Sequence, residues 1–222
     1  MAEADFDLVI SGGTMSGGAP GTGQLHIALA SPLTGFGDYC RSWAMLTGAP
    51  YAKGLLTPTA EPNASPLLSS RSVSLRAFMR KSATAFNATH ETTLVVKMNA
   101  TASDKKGYCL IVTENSGVYL LLTNTSTKSI PALFGVTNNV WYHYRLDVIP
   151  VGTAADIVRV YTATAADPET WTLRHTEVVN SSDAWYRPWG SGTESRLGWR
   201  VESNNAGNRS YIDQFEVRLE DV

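Results

Sequence analysis

From residue 70 onward the chain alternates. In "RSVSLRAFMRK" Val73, Leu75, Ala77 and Met79 fall at one parity, and Ser74, Arg76, Phe78 and Arg80 fall at the other. That period of two sends successive side chains to opposite faces of a strand, so the segment reads as a half-buried strand. "TTLVVKMNA", "GYCLIVTE" and "GVYLLLTN" follow, separated by the turn-forming "TASDKKG" and "NSG". Three strands joined by short turns make a meander. In "NNVWYHYRLDVIP" Val140, Tyr142, Tyr144, Leu146 and Val148 face one way and Trp141, His143, Arg145 and Asp147 the other. "ADIVRVYTA" and "TWTLRHTEVV" continue the β-branched and aromatic enrichment of strands.

The chain closes on "RSYIDQFEVRLEDV", where Tyr211, Asp213, Phe215, Val217 and Leu219 alternate with Ile212, Gln214, Glu216, Arg218 and Glu220. A terminal strand needs a neighbour for its backbone groups, and the early "FDLVIS" is the expected partner. Residues 11–66 carry many glycines and prolines, as in "GGAPGTG" and "TPTAEPNASP". They read as long loops with one or two short strands, such as "QLHIALA" and "RSWAML", and as a region that contacts partners. No linker divides two cores, so residues 1–222 form one domain. Only 17% of the residues are charged and the formal net charge is −2, which offers no basic footprint for nucleic acid. No apolar run reaches the roughly 18 residues of a membrane span, and the N-terminus has no secretory pattern.

"NVWYHYRLDVIPVGTAADIVRVYTA", "RLGWRVES" and "SYIDQFEVRLE" together resemble the second half of concanavalin A-like lectin/glucanase domains, including laminin-G-like modules, over about residues 70–222. The resemblance implies an all-β fold, an antiparallel two-sheet jelly-roll sandwich, here with long Gly/Pro-rich N-terminal loops. Glycosidases of that group carry two or three carboxylates on one strand for acid and nucleophile work. No such strand occurs here; "EADFD" comes closest, at the extreme N-terminus.

Other chemistries are tested by spacing. A phosphate loop needs G-x-x-x-x-G-K-[ST] ahead of a helix. Gly18 and Gly23 are so spaced, but Gln24 and Leu25 replace the lysine and the hydroxyl, so no nucleotide cofactor is expected. His26, His90, His143 and His175 are scattered, without the spacing of a metal site. Cys40 and Cys109 read as small buried hydrophobes. The segment "SSDAWYRPWGSGTESR" gathers Trp185, Tyr186, Arg187 and Trp189. Such a group serves as a lid on the core, as a protein interface, or as a glycan platform.

These observations lead to the expectation of a non-enzymatic virion protein of a tailed phage, a capsid decoration or tail component. It would contact other virion subunits and copies of itself, with no cofactor, metal, membrane or nucleic acid. The alternatives are a carbohydrate-binding module with the Trp185 loop as platform, and a divergent glycoside hydrolase.

Overall fold

The computed structural model describes residues 6–11, 14–17, 24–28, 40–44, 51–58, 71–81, 91–98, 107–113, 117–188, 196–202 and 209–221. Its regular elements are all strands: β1 (Phe6–Ser11), β2 (Thr14–Gly17), β3 (Gln24–Ala28), β4 (Cys40–Ala44), β5 (Tyr51–Pro58), β6 (Arg71–Lys81), β7 (Glu91–Met98), β8 (Gly107–Thr113), β9 (Gly117–Thr123), β10 (Thr127–Phe134), β11 (Tyr142–Val151), β12 (Ala155–Thr164), β13 (Thr172–Asn180), β14 (Arg196–Glu202) and β15 (Arg209–Asp221). They form a seven-stranded sheet in the order β1-β5-β14-β7-β8-β9-β10 and an eight-stranded sheet in the order β13-β12-β11-β6-β15-β4-β3-β2. The two sheets pack as a jelly-roll sandwich. Among the described residues no helix is long and apolar enough to cross a membrane.

Alternation builds the core as expected. Val73, Leu75, Ala77 and Met79 of β6 join Tyr144, Leu146 and Val148 of β11 from one sheet; Leu94 and Val96 of β7, Leu110 and Val112 of β8, and Leu120 and Leu122 of β9 face them from the other. Each such side chain removed from water contributes about 1.5–3 kcal/mol. Val140, of the same parity as the inward residues of β11, lies before that strand and is exposed. The meander is present, since β7, β8 and β9 are consecutive neighbours.

Three expectations change. β1 does not pair with the closing strand: it pairs with β5, Phe6 opposite Pro58, in the other sheet. Both edges of β15 are taken, by β6 and β4, which leaves no free edge for β1. Residues 11–66 hold four strands, β2 to β5. "YAKGLLTP", whose first residues read as loop, is β5 and runs between β1 and β14. Finally, the sheets are antiparallel except for one edge pair, β2 with β3. Gln24 opens a strand, not the helix that a phosphate loop requires; Gly18–Gly23 lies outside the described residues.

Two bulges re-aim side chains. In β15 the pairing with β6 shifts between Asp213 and Glu216. Ile212 therefore reaches the core on the same side as Phe215 and Val217, although sequence parity separates it from them. In β7, Val95 pairs with Gly198 and Met98 with Arg196, so one extra residue stands on β7. Within that bulge Lys97 adopts φ 61°, a left-handed conformation uncommon outside glycine.

Candidate functional site

The aromatic segment singled out from the sequence follows β13. Asn180 N–H donates to Asp183 Oδ2 at 2.8 Å, and Tyr186 N–H donates to the Asp183 carbonyl at 3.0 Å. The turn at 124–126 then holds it down. Thr125 N–H and Ser126 N–H both donate to the Ala184 carbonyl at 3.1 Å, and Asn124 Nδ2 donates to the Tyr186 carbonyl at 2.7 Å. Trp185 and Tyr186 are half-buried against the core, and Arg187 is buried. The indole of Trp185 carries the Lys128 ammonium over its ring at 5.2 Å. Its own Nε1 is buried without a partner. Trp189 lies outside the described residues. The structure thus joins three of the four residues in one tied-down segment.

Beneath this segment is a polar contact with no local sequence signal. Lys97 Nζ lies 2.5 Å from Asp156 Oδ2, and both side chains are almost wholly buried. Tyr108 OH donates to the same carboxylate oxygen at 2.8 Å and accepts from Arg187 N–H at 3.1 Å. The rings of Tyr108 and Tyr186 stand 5.1 Å and 5.3 Å from the ammonium. Burial pulls the Lys97 ammonium below its ordinary value, with Asp156 opposing it; burial pushes the Tyr108 phenol up. With both charged side chains out of water, these groups act as an anchor between the sheets.

A more exposed set occupies the outer face of the eight-stranded sheet. Four neighbouring strands place Tyr161, Arg145, Arg76 and Glu216 in one cross-strand row. On one side of the row His143 pairs with Phe78; on the other, Asp147, Ser74 and Arg218 stand in register. The turn from β12 to β13 folds back over this face. Its Trp171 ring lies 4.5 Å from His143 and 5.4 Å from the Arg76 guanidinium. His143 is also stacked on Phe78 at 4.1 Å. β6 is consequently buried on both faces, not half-buried: Ser74, Arg76 and Phe78 are shielded alongside the core residues.

The charges on this face are unevenly matched. Arg145 and Asp147 form a two-pronged pair, Nε to Oδ1 and Nη2 to Oδ2, each at 2.7 Å, and Arg218 Nε meets Glu216 Oε1 at 2.6 Å. Among the described residues the one ion pair of Arg76 is with Glu169, at 3.8 Å and with an exposed carboxylate. Its Nε is buried without an acceptor, as is the neighbouring Ser74 Oγ. Burial, and then Arg218 and Arg145, pull the Arg76 guanidinium below its ordinary value. A desolvated cation so loosely paired favours a further oxygen acceptor at its terminal N–H groups.

His143 Nδ1 is 2.9 Å from the Pro168 carbonyl. A carbonyl only accepts, so Nδ1 carries the proton and Nε2 the lone pair. Burial lowers the imidazole below its ordinary value of 6.5, partly offset by the Pro168 contact and Glu169, which keeps the ring neutral near pH 7. Among the described residues no three His, Cys, Asp or Glu side chains converge as metal ligands. Cys109 is buried.

Alternation does place Arg76 with Phe78, and His143 with Arg145 and Asp147. It carries no information that β6 and β11 are neighbours, or that Trp171 folds across them.

No family model matches the chain, and no curated protein matches it. Solved structures do. A protein of unknown function from Shewanella oneidensis MR-1 superposes with a TM-score of 0.59 at 14% identity, over 99% of this chain and 80% of that one. The marine PL-14 alginate lyase from Aplysia kurodai gives 0.55 at 11% identity, over 88% and 87% of the two chains. A carbohydrate esterase of the Shiga toxin-encoding bacteriophage phi24B gives 0.51 at 10% identity, over 91% and 89%. The expectation of a chain that is not an enzyme is thereby overturned: a lyase and an esterase use this fold over most of their lengths, so the missing glycosidase strand does not exclude catalysis. At these identities what is shared is the fold, a jelly-roll sandwich.

Proposed function

We propose that the chain recognises carbohydrate on the outer face of its eight-stranded sheet. The observation that carries this reading is Arg76, a desolvated guanidinium beside Arg145 and Arg218 and only loosely paired with Glu169, in a row of aromatic and charged side chains. Aromatic rings accept the C–H face of a sugar, and guanidinium groups donate to its oxygens. With Arg76, Arg145 and Arg218 close together, the expected ligand is an acidic polysaccharide. Affinity measurements on immobilised uronate-containing and neutral polysaccharides test it. Arg76→Gln and Trp171→Ala are expected to weaken uronate binding about tenfold or more, the scale of one lost charge-assisted contact. Equal binding of neutral chains, or no effect of either substitution, overturns it.

A second reading, turnover of the bound chain, is favoured by His143. Its neutral ring offers Nε2 as a base close to the Arg76 guanidinium. Nε2 would take the proton α to a uronate carboxylate while Arg76 stabilises the enolate. The electron pair then expels the glycosidic oxygen at C4, which takes a proton from solvent. The readout is growth of the unsaturated uronate chromophore in the ultraviolet, lost in His143→Gln; its absence with every uronate polymer that binds overturns this reading alone.

The setting stays the one expected from the sequence, a tailed-phage virion in which the chain contacts other capsid or tail subunits. Co-sedimentation with particles at fixed stoichiometry tests it, and a chain found only free of particles overturns it.

A further inference from the structure

The two sheets meet along a seam between their edge strands β10 and β13. At one end the seam is closed by Lys128 Nζ, 2.9 Å from Glu177 Oε1, and by Trp185. At the other end it opens into a cleft of about 500 Å³ lined by Phe134, Tyr142, Thr162 and Arg174, among others. That volume is in the range of pockets for small molecules, about 300–1,000 Å³. The cleft lies between the sheets, whereas the Arg76 row lies on the outer face.

Its polar groups point to a ligand because their hydrogen-bonding capacity is one-sided. Arg174 Nε donates to Thr162 Oγ1 at 2.8 Å. Asp167 N–H donates to Thr164 Oγ1 at 3.2 Å, and Thr137 N–H donates to Tyr142 OH at 3.3 Å. Each of these three hydroxyls accepts from the protein, and none donates to a protein group among the described residues. Their own hydrogens remain available, so the cleft presents three hydroxyl donors in addition to the Arg174 fork. Arg174 itself is fixed by Thr162 and by the Phe134 ring, 5.3 Å from the guanidinium carbon. No carboxylate forms an ion pair with it among the described residues. A guanidinium held in this way, with its terminal N–H groups uncommitted, matches a carboxylate in two-pronged geometry. Phe134 and Tyr142 supply flat apolar surface, and the Asp167 carboxylate, the one acid among the described lining residues, can accept from a ring hydroxyl.

We propose that this cleft is a second binding site, separate from the outer face, for a hydroxylated ring bearing one carboxylate, a uronate monosaccharide unit. Arg174 takes the carboxylate, and Thr162, Thr164 and Tyr142 donate to ring and carboxylate oxygens.

The test is calorimetric and chemical-shift titration of the full chain with sodium D-glucuronate, and with D-glucose as the neutral isostere. Glucuronate is expected to bind at least about tenfold more tightly than glucose, and Arg174→Gln to remove that preference. Gly135→Phe gives an independent block: Gly135 lines the cleft, and a Cβ there meets nothing within 4 Å. This variant should keep its melting temperature and lose glucuronate. Arg76→Gln should leave the part of the binding that depends on Arg174. If glucose binds as well as glucuronate, or if neither Arg174→Gln nor Gly135→Phe weakens binding, the proposal falls. If Arg76→Gln alone abolishes glucuronate binding, the ligand sits on the outer face: the cleft proposal fails and the outer-face reading survives. Polysaccharide binding that vanishes in Arg76→Gln while glucuronate binding persists would show two sites.

Discussion

Lys97 Nζ and Asp156 Oδ2 meet at 2.5 Å between strands of different sheets, with both side chains out of water. A pair so placed is weak as a net source of stability, because taking two charges out of water costs several kcal/mol. Its influence lies in what happens when one partner is lost. Asp156→Asn and Lys97→Met should each lower stability by about 3–5 kcal/mol, whereas the double variant Lys97→Met/Asp156→Leu should regain much of that loss. Denaturant midpoints of the four proteins check this; additive losses would mean that the two charges do not depend on each other.

Tyr108 ties the 181–188 segment to the same carboxylate. Tyr108→Phe removes the donor to Asp156 and the acceptor for Arg187 N–H. The expected cost is about 1–3 kcal/mol. Hydrogen exchange should locate it, with the Arg187 amide accelerated more than amides of the β7–β9 meander.

His143 sets a pH dependence. Its folded-state value lies below the ordinary 6.5, so between those two values the folded protein binds fewer protons than the unfolded chain. Stability from this group is therefore complete above pH 6.5 and is lost as pH falls through the folded-state value. Melting temperatures followed downward from neutral pH should show that decline in the parent and a shallower one in His143→Gln. Trp171→Ala, which uncovers the ring, should move the His143 titration back toward 6.5 when followed by NMR.

Gly117 and Gly152 separate backbone strain from collision. Gly117 has φ 73°, and a Cβ there would lie 2.8 Å from the Phe134 carbonyl oxygen. Gly152 has φ 56° and open space around the same position. Gly152→Ala should cost about 1–2 kcal/mol, the left-handed penalty alone. Gly117→Ala should cost more than that and displace Phe134, so it should also weaken glucuronate binding. Thermal unfolding of the two variants side by side reads the difference.

Much of the fold was open to inspection in residues 70–222 because strand periodicity is a local property. Val73, Leu75, Ala77 and Met79 repeat every second residue, and "NSG" marks a turn whatever lies elsewhere in the chain. The failures came where register, not period, decides the outcome. Lys97, in "TTLVVKMNA", has the parity of Val95, which faces away from the main core. The bulge opposite β14 and a φ of 61° turn it inward. The site was less legible. Trp185, Tyr186 and Arg187 stood out as an aromatic cluster, while Trp171 looked like one more strand residue and Arg76 like a surface charge.

The resemblance of its second half to concanavalin A-like domains implied the two-sheet sandwich, while the residues by themselves determined that this chain makes strands and which faces of most of them are apolar. Both of the latter follow from side-chain chemistry over spans of a few residues. Only the tertiary structure decided that β1 pairs with β5, that Asp156 meets a lysine 59 residues away, and that Trp171 covers the Arg76 row. It also decided that the β10–β13 seam stays open at the Arg174 end. Pairings of that kind depend on which strand edges remain free once the rest of the sheet has formed, and on bulges that shift parity by one residue. No short stretch of sequence encodes either.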